Sequence, residues 1–289
     1  MRFLKALCAT LAMHATLVFA VVPATVEAVQ SPAWIDRAGL TVPLAAGMAL
    51  ENGDVVRTGG NARVYLLLAE GSRVKLGEST RFTLRSGSLD ATRYFRSVLE
   101  VAAGAFRFTT GVLSRANKRD VAIRVGTATV GIRGTDVWGK ADRDGDLVAL
   151  LEGHITVTRS GEVTGLSQPG TYFDAPHDQA AQIKTLSSET LKILARQTEI
   201  ESGDGASRAT GKWKVLAATV ETSDAALALY DRLREAGFVA HIRPVRPVVT
   251  EGSGWRYQVL LGGFPSAMEA RVVALRLKSL TNLEAEVTR

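Results

Sequence analysis

Between Trp34 and Phe173 apolar residues come in short runs, many of them alternating with polar ones, and glycine interrupts nearly every run. Val64 to Leu68 and Ile155 to Thr158 show a period of two, and Glu-Gly, Asp-Gly and Ser-Gly pairs separate such stretches. This spacing places successive side chains on opposite faces of a strand and marks hairpin turns. The segment reads as all-β, in the form of a barrel, a sandwich or a strand roll.

After Asp174 the periodicity changes. A helix is predicted from Ser188 to Glu201, with Ser188 as N-cap and Leu191, Leu194 and Ile200 as a narrow apolar face. The "SGDGASRATG" that follows has the composition of a flexible linker. From Lys212 onward the pattern runs strand, helix, strand, strand, helix, strand, with Ser223 and Ser266 as expected N-caps and Gly237 as a helix stop. Ala226, Leu229, Tyr230 and Leu233 share one helical face, and Ala270, Val273, Ala274 and Leu277 share another. This βαββαβ order is an α+β, ferredoxin-like unit whose helices cover one side of a four-stranded sheet and leave the other open.

The chain begins "MRFLKALCATLAMHATLVFAVVPATVEAVQ": Arg2 and Lys5 lead an apolar run that ends at a Val26-Glu27-Ala28 pattern. That is the build of a secretory signal cut after Ala28, with an uncleaved anchor as the alternative. The expected organisation is multidomain: signal peptide 1–28, all-β domain 29–174, helix and flexible linker 175–211, and α+β domain 212–289.

Composition narrows the chemistry. Hydrophobic residues make up 46% of the 289 and charged ones 22%, a globular balance. The only cysteine, Cys8, lies in the leader, so disulfides, thiol catalysis and cysteine zinc sites are excluded from the exported chain. The net charge of +6 is spread without a basic arm, which suits an anionic wall or membrane surface and argues against nucleic acid. His154, His177 and His241 are far apart, and no nucleophile elbow or phosphate loop is present. No enzymatic activity, cofactor or metal is expected.

Two polar motifs have structural explanations. In "DRDGD" the acids Asp142, Asp144 and Asp146 alternate, but Gly145 precedes the third acid and Gly153 stands where a calcium loop needs its closing glutamate, so an Asp-Gly hairpin turn fits better. In Arg133-Gly134-Thr135-Asp136 the glycine permits a turn and Thr135 and Asp136 can bond nearby amides, which leaves Arg133 as a candidate anion contact.

The strands "WKVLAAT" and "YQVLLGGF", each followed by a serine-led helix, resemble the SPOR domain over about residues 212–289. The resemblance implies binding of peptidoglycan glycan strands stripped of stem peptides, typically at division sites. By alternation Lys214, Leu216 and Ala218 share one side of the first strand, and Gln258, Leu260 and Gly262 share one side of the third. The family's arrangement turns these outward together with His241 and Arg243. The implied glycan contacts are therefore Lys214, Leu216, His241, Arg243, Gln258 and Leu260. The family often has glutamine at the place of Leu216 and a polar or basic residue at that of Leu260, so a face for protein–protein association stays open as the alternative.

"ATVGIRGTDVW" followed by "VALLEGHITV", with "LENGDVVRTGGNARVYLLLAEGSRVKLGESTRFTL" upstream, resembles the FecR-type domain over about residues 34–174. This implies a periplasmic β-domain, a barrel or roll, that binds a ligand or protein in the envelope. The family's regulators also use a cytoplasmic segment and a membrane helix, neither of which is expected here once the signal is removed. The expected protein is thus a periplasmic two-domain binder of peptidoglycan that presents its β-domain to an envelope partner.

Overall fold

The computed structural model describes residues 22–90, 94–111, 118–132, 134–246, 254–282 and 284–289. The first half of the β unit comprises β1 (Ala24–Gln30), β2 (Ala33–Arg37), β3 (Leu40–Pro43), β4 (Ala49–Leu50), β5 (Val55–Thr58), β6 (Arg63–Leu68), β7 (Arg73–Leu76), β8 (Arg81–Asp90) and β9 (Tyr94–Thr109). The second comprises β10 (Lys118–Val125), β11 (Ala128–Ile132), β12 (Asp136–Ala141), β13 (Gly145–Glu152), β14 (Ile155–Arg159), β15 (Glu162–Leu166), β16 (Thr171–Pro176), β17 (Gln182–Thr185) and β18 (Ala206–Arg208).

Hairpins alternate between two layers. The first sheet runs β1, β6, β7, β9, β12, β13, β16, β17, with β4 and β18 at opposite ends of the free edge of β1. The second runs β3, β2, β5, β8, β9, β10, β11, β14, β15, and its β9–β10 pair is parallel. Strand β9 serves both: residues up to Ala103 pair in the second sheet, and Gly104–Thr109 pair in the first. The crossing is at Gly104, where φ is +86° and a side chain would strike the backbone of Thr80. The strands form an open two-layered roll and no closed barrel, so that option of the sequence reading is corrected.

Alternation explains the core. Val64, Leu66, Leu76, Phe106 and Phe108 from the first sheet meet Ile35, Phe82, Leu84, Leu99, Ile123 and Val157 from the second in one continuous cluster. Each such side chain stabilises the fold by about 1.5–3 kcal/mol relative to leaving it exposed.

Two boundaries differ from expectation. Residues 1–21 of the expected leader lie outside the described residues, yet β1 begins at Ala24 and pairs with β6, and Ala24, Val26 and Ala28 are buried. A cut after Ala28 would remove four of the six residue pairs of β1 with β6. The segment 175–211 is no free linker either. Strand β17 extends the first sheet, and α1 (Ser188–Thr198) lies on that sheet's outer face, where Leu194 packs with Ala105, Trp138 and Ala149. Its N-cap is Ser187, whose hydroxyl accepts from the Thr190 N–H, so the helix starts at Ser188 as expected, while the expected cap is one residue late and the expected end three late.

The C-terminal unit is β19 (Trp213–Val220), α2 (Ser223–Glu235), β20 (Ala240–Val245), β21 (Arg256–Phe264), α3 (Ala267–Thr281) and β22 (Glu286–Thr288). Its sheet order is β20, β21, β19, β22, the ferredoxin-like order. Val215, Val259 and Leu261 face Ala226, Leu229 and Leu233 of α2 and Ala270, Val273 and Leu277 of α3. Ser266 caps α3 as expected, but α2 is capped by Thr222, and Ser223 is its first helical residue. Gly237 follows α2 with φ +77°, as a helix stop requires.

Candidate functional site

The outer face of the C-terminal sheet is set by register. His241 stands opposite Leu260 and Arg243 opposite Gln258 across β20 and β21, while Leu216 of β19 pairs with Leu260 on the other side. Lys214 runs beside Gly262, the nearest neighbour to any side chain placed there. All six expected contact residues therefore lie on one face, with His241, Leu260 and Leu216 in one row and Arg243 and Gln258 in the next.

The arrangement is partly preorganised. The Arg243 guanidinium donates to Gln258 Oε1 from Nη2 at 2.5 Å and from Nε at 3.2 Å. That orients two long polar side chains on an exposed surface, and the Gln258 NH2 group keeps its donors for other use.

One member of the expected face is misplaced. A register shift between Leu216 and Ala218 moves Ala218 opposite Val259, where it packs toward the helices. Thr219 takes the outer position opposite Gln258 instead. A bulge inserts one residue and so reverses alternation beyond it, which no period-two count anticipates. The sequence reading also omitted Arg256, opposite Val245, and Glu286, opposite Leu216. Arg256 was available by extending the alternation of Gln258 by two residues, and Glu286 by carrying the same count onto the last strand.

This face is bordered by the β unit. Strand β18 pairs with β1 through Ala28–Arg208, Val29–Ser207 and Gln30–Ala206, then leads directly into the C-terminal unit. The chain passes so close to β21 that a side chain at Gly211 would collide with the Gly263 carbonyl. Glu269, only 6% exposed, accepts from the N–H groups of Gly203 at 2.7 Å, Gly205 at 2.5 Å and Ala206 at 3.2 Å. Elsewhere the Ala33 N–H donates to the Gly237 carbonyl and Arg234 Nη2 to the Thr41 carbonyl.

The described acids of the β unit's motifs make contacts within the fold. Asp136 of the Arg-Gly-Thr-Asp run receives a bidentate bond from Arg107, at 2.9 and 2.7 Å. Arg107 and Lys75 both reach Glu199 at the end of α1, and the Tyr65 hydroxyl donates to Glu199 while accepting from the Ile200 N–H. Burial alone would push the Glu199 carboxyl up, but the Lys75 and Tyr65 hydrogen bonds and the charges of Lys75 and Arg107 hold it below the usual carboxylate range. Burial pushes the Tyr65 phenol well up. Arg133, the candidate anion contact, lies outside the described residues.

Asp142 caps the turn between β12 and β13 by accepting from the Asp144 and Gly145 N–H groups, and Asp146 is buried against Thr127. Among the described residues no three histidine, cysteine, aspartate or glutamate side chains gather as a metal site. Nor is any helix among them long and apolar enough to cross a membrane.

Comparison with known proteins agrees with this division. The model of the FecR protein family matches residues 54–156, and the model of the SPOR domain matches residues 209–289. Two crystal structures of a protein from Parabacteroides distasonis ATCC 8503, provisionally described as an anti-sigma factor, are similar at 14% and 13% identity. The matches cover 79% of this chain and 91% and 92% of those chains, with a TM-score of 0.41 in both cases. No curated protein matches the chain.

Proposed function

Starting from a chain that carries a FecR domain followed by a SPOR domain, we propose that it is a non-enzymatic protein of the bacterial periplasm that binds peptidoglycan. Both domain types are typical of cell-envelope proteins that bind or signal. In this reading the SPOR domain holds denuded glycan strands, and the FecR domain presents its roll to an envelope ligand or protein. The observation that carries it is the single outer sheet face within the SPOR match on which Lys214, His241, Arg243 and Gln258 surround Leu216 and Leu260. Hydroxyl and acetamido groups of a sugar take hydrogen bonds from the polar four, and the flat apolar face of a pyranose ring rests on Leu216, beside the nearly covered Leu260.

Protein association through the same face is the weaker reading. It calls for a continuous apolar surface, but charged side chains flank the two leucines, and Leu260 is already 6% exposed. The test is co-sedimentation of the full chain with purified sacculi, untreated or stripped of stem peptides by an amidase. Binding is expected to rise after stripping and to fall in the Arg243→Ala, Gln258→Ala double variant. A chain that stays in the supernatant with both preparations refutes glycan binding.

A further inference from the structure

The outer face of the C-terminal sheet is open over most of its area but walled at one end. Where β21 reaches Gly262 and Gly263, the segment Ser207–Ala209 and the loop carrying Ala45 and Ala46 stand against it. Together they enclose a cleft of about 400 Å³, within the range of roughly 300–1,000 Å³ typical of small-ligand sites. One wall is Lys214, Val239, His241, Arg243 and Leu260 of the SPOR domain, and the other belongs to the β unit and its connection.

The wall is held in place. A side chain at Gly47 would meet the Ala209 methyl at 3.1 Å, so the loop sits directly on the connection. The connection is in turn fixed by the β1–β18 ladder and by the three amide bonds to Glu269. Leu260 points to the outer face yet is almost fully covered, which fits a residue at the floor of a cleft and not on an open sheet.

The charge of the lining is one-sided. Its ionisable residues are Arg208, Lys214, His241 and Arg243, all basic, and no aspartate or glutamate is among them. Alanine, glycine and leucine make up most of the remainder. A small cationic cleft with an apolar floor selects a ligand that carries a carboxylate on a compact, partly apolar body.

We infer that the ligand site of this chain is shared between the two domains and takes an acidic amino sugar, with Ala45 and Ala46 of the β unit as its second wall. This rests on the glycan reading above and adds the wall and the carboxylate. Removing a stem peptide by cleaving the amide to the muramyl lactyl group leaves a free carboxylate on the sugar, and that group suits the cluster of Lys214, His241 and Arg243.

The test is equilibrium binding of the full chain to soluble oligosaccharides prepared from amidase-stripped, muramidase-cut sacculi. Parent, Ala46→Trp and Gly262→Leu are compared, each with its melting temperature. Both substitutions fill the cleft, one from each wall: Ala46 is half-buried, and a side chain at Gly262 meets only Lys214 Cγ at 3.8 Å. Overfilling a site costs about one decade of affinity or more, so at least tenfold weaker binding with unchanged melting is expected for both. If Ala46→Trp lowers melting, Ala46→Asp decides for the shared wall, because a carboxylate placed there repels the ligand's own and should weaken binding at least tenfold.

Parent-like binding by Ala46→Trp overturns the shared wall and leaves the glycan function standing. Binding that survives conversion of the sugar carboxylates to methylamides overturns the acidic selection. A parent chain that binds no oligosaccharide removes this inference and the proposed function together.

Discussion

Replacing Glu269 with alanine should loosen the C-terminal unit from the β unit without unfolding either. The carboxylate accepts three backbone N–H groups from a single turn, at 2.7, 2.5 and 3.2 Å, and is itself buried. Hydrogen bonds to a charged group contribute about 1.5–3 kcal/mol each, and a buried donor left without an acceptor costs about 1–3 kcal/mol. Water will enter and recover part of this, so the net loss is set at about 3–5 kcal/mol, the usual cost of breaking a buried charged contact. The position is also the third residue of α3, where its charge favours the helix by a further ~0.3–1 kcal/mol. Glu269→Gln retains one acceptor oxygen and should lose roughly half as much.

Hydrogen exchange resolves the effect at the affected groups. The amides of Gly203, Gly205 and Ala206 should lose protection by about two decades in Glu269→Ala, since about 1.4 kcal/mol corresponds to each tenfold change. Core strands β6 and β9 should exchange as in the parent. If those three amides are unprotected in the parent, or keep their protection in the variant, the clamp does not hold the connection and the segment is the flexible linker its composition suggests.

Three further outcomes follow from other parts of the molecule. A chain beginning at Val29 loses the buried Val26, Ala24 and Ala28 with four of the six residue pairs of β1 with β6 and should be at least about 4 kcal/mol less stable than one beginning at Pro23 in urea unfolding, whereas equal midpoints would show this part of β1 to be dispensable. Leu194→Ala empties the contact between α1 and Trp138 and should cost about 2–4 kcal/mol with a red shift of tryptophan emission; an unshifted spectrum would mean that α1 does not cover the indole. The Glu199 carboxyl is depressed in the folded chain, so its contribution is complete above the unfolded value of about 4.3 and is lost as pH falls through the lower folded value. The stability gap between parent and Glu199→Gln should accordingly narrow between pH 5 and about pH 3, and a gap independent of pH would refute the assignment.

The periodic parts of the chain were legible and the close-contact parts were not. Alternation located most strands of the roll, and helical spacing identified the buried faces of α2 and α3. The six outer-face residues follow from counting by two, because register copies sequence parity wherever no bulge intervenes. Ala218 fails for that reason alone. Ser188 and Ser223 were misread as caps because Ser187 and Thr222, each one residue earlier, carry an equivalent hydroxyl.

The largest misreading concerns "SGDGASRATG". Its glycines look like a flexible spacer, but Gly203 and Gly205 have φ of +93° and +74°, and Gly211 has no room for a side chain. They are there for geometry, to let a turn offer its amides to one carboxylate and to let two backbones touch. Nothing in a window of ten residues reveals a partner 60 positions away. The wall of Ala45 and Ala46 was illegible for the same reason, since two alanines carry no chemical signal until the fold sets them opposite a basic sheet.

The short ladder between β1 and β18 also fixes how the molecule responds when pulled. A chain anchored to the wall at its C-terminal unit and gripped by a partner on its β unit carries the tension through residues 199–211. Parting the two units along this segment breaks the three residue pairs of β1 with β18 and the Glu269 clamp and leaves the two large cores intact. Opening them releases slack of up to about 3.3–3.6 Å per freed residue and at the same time draws the second wall away from the cleft. In the proposed reading, a pull between the two units and the grip on a ligand in the cleft are one mechanical event, and a seated ligand opposes the parting.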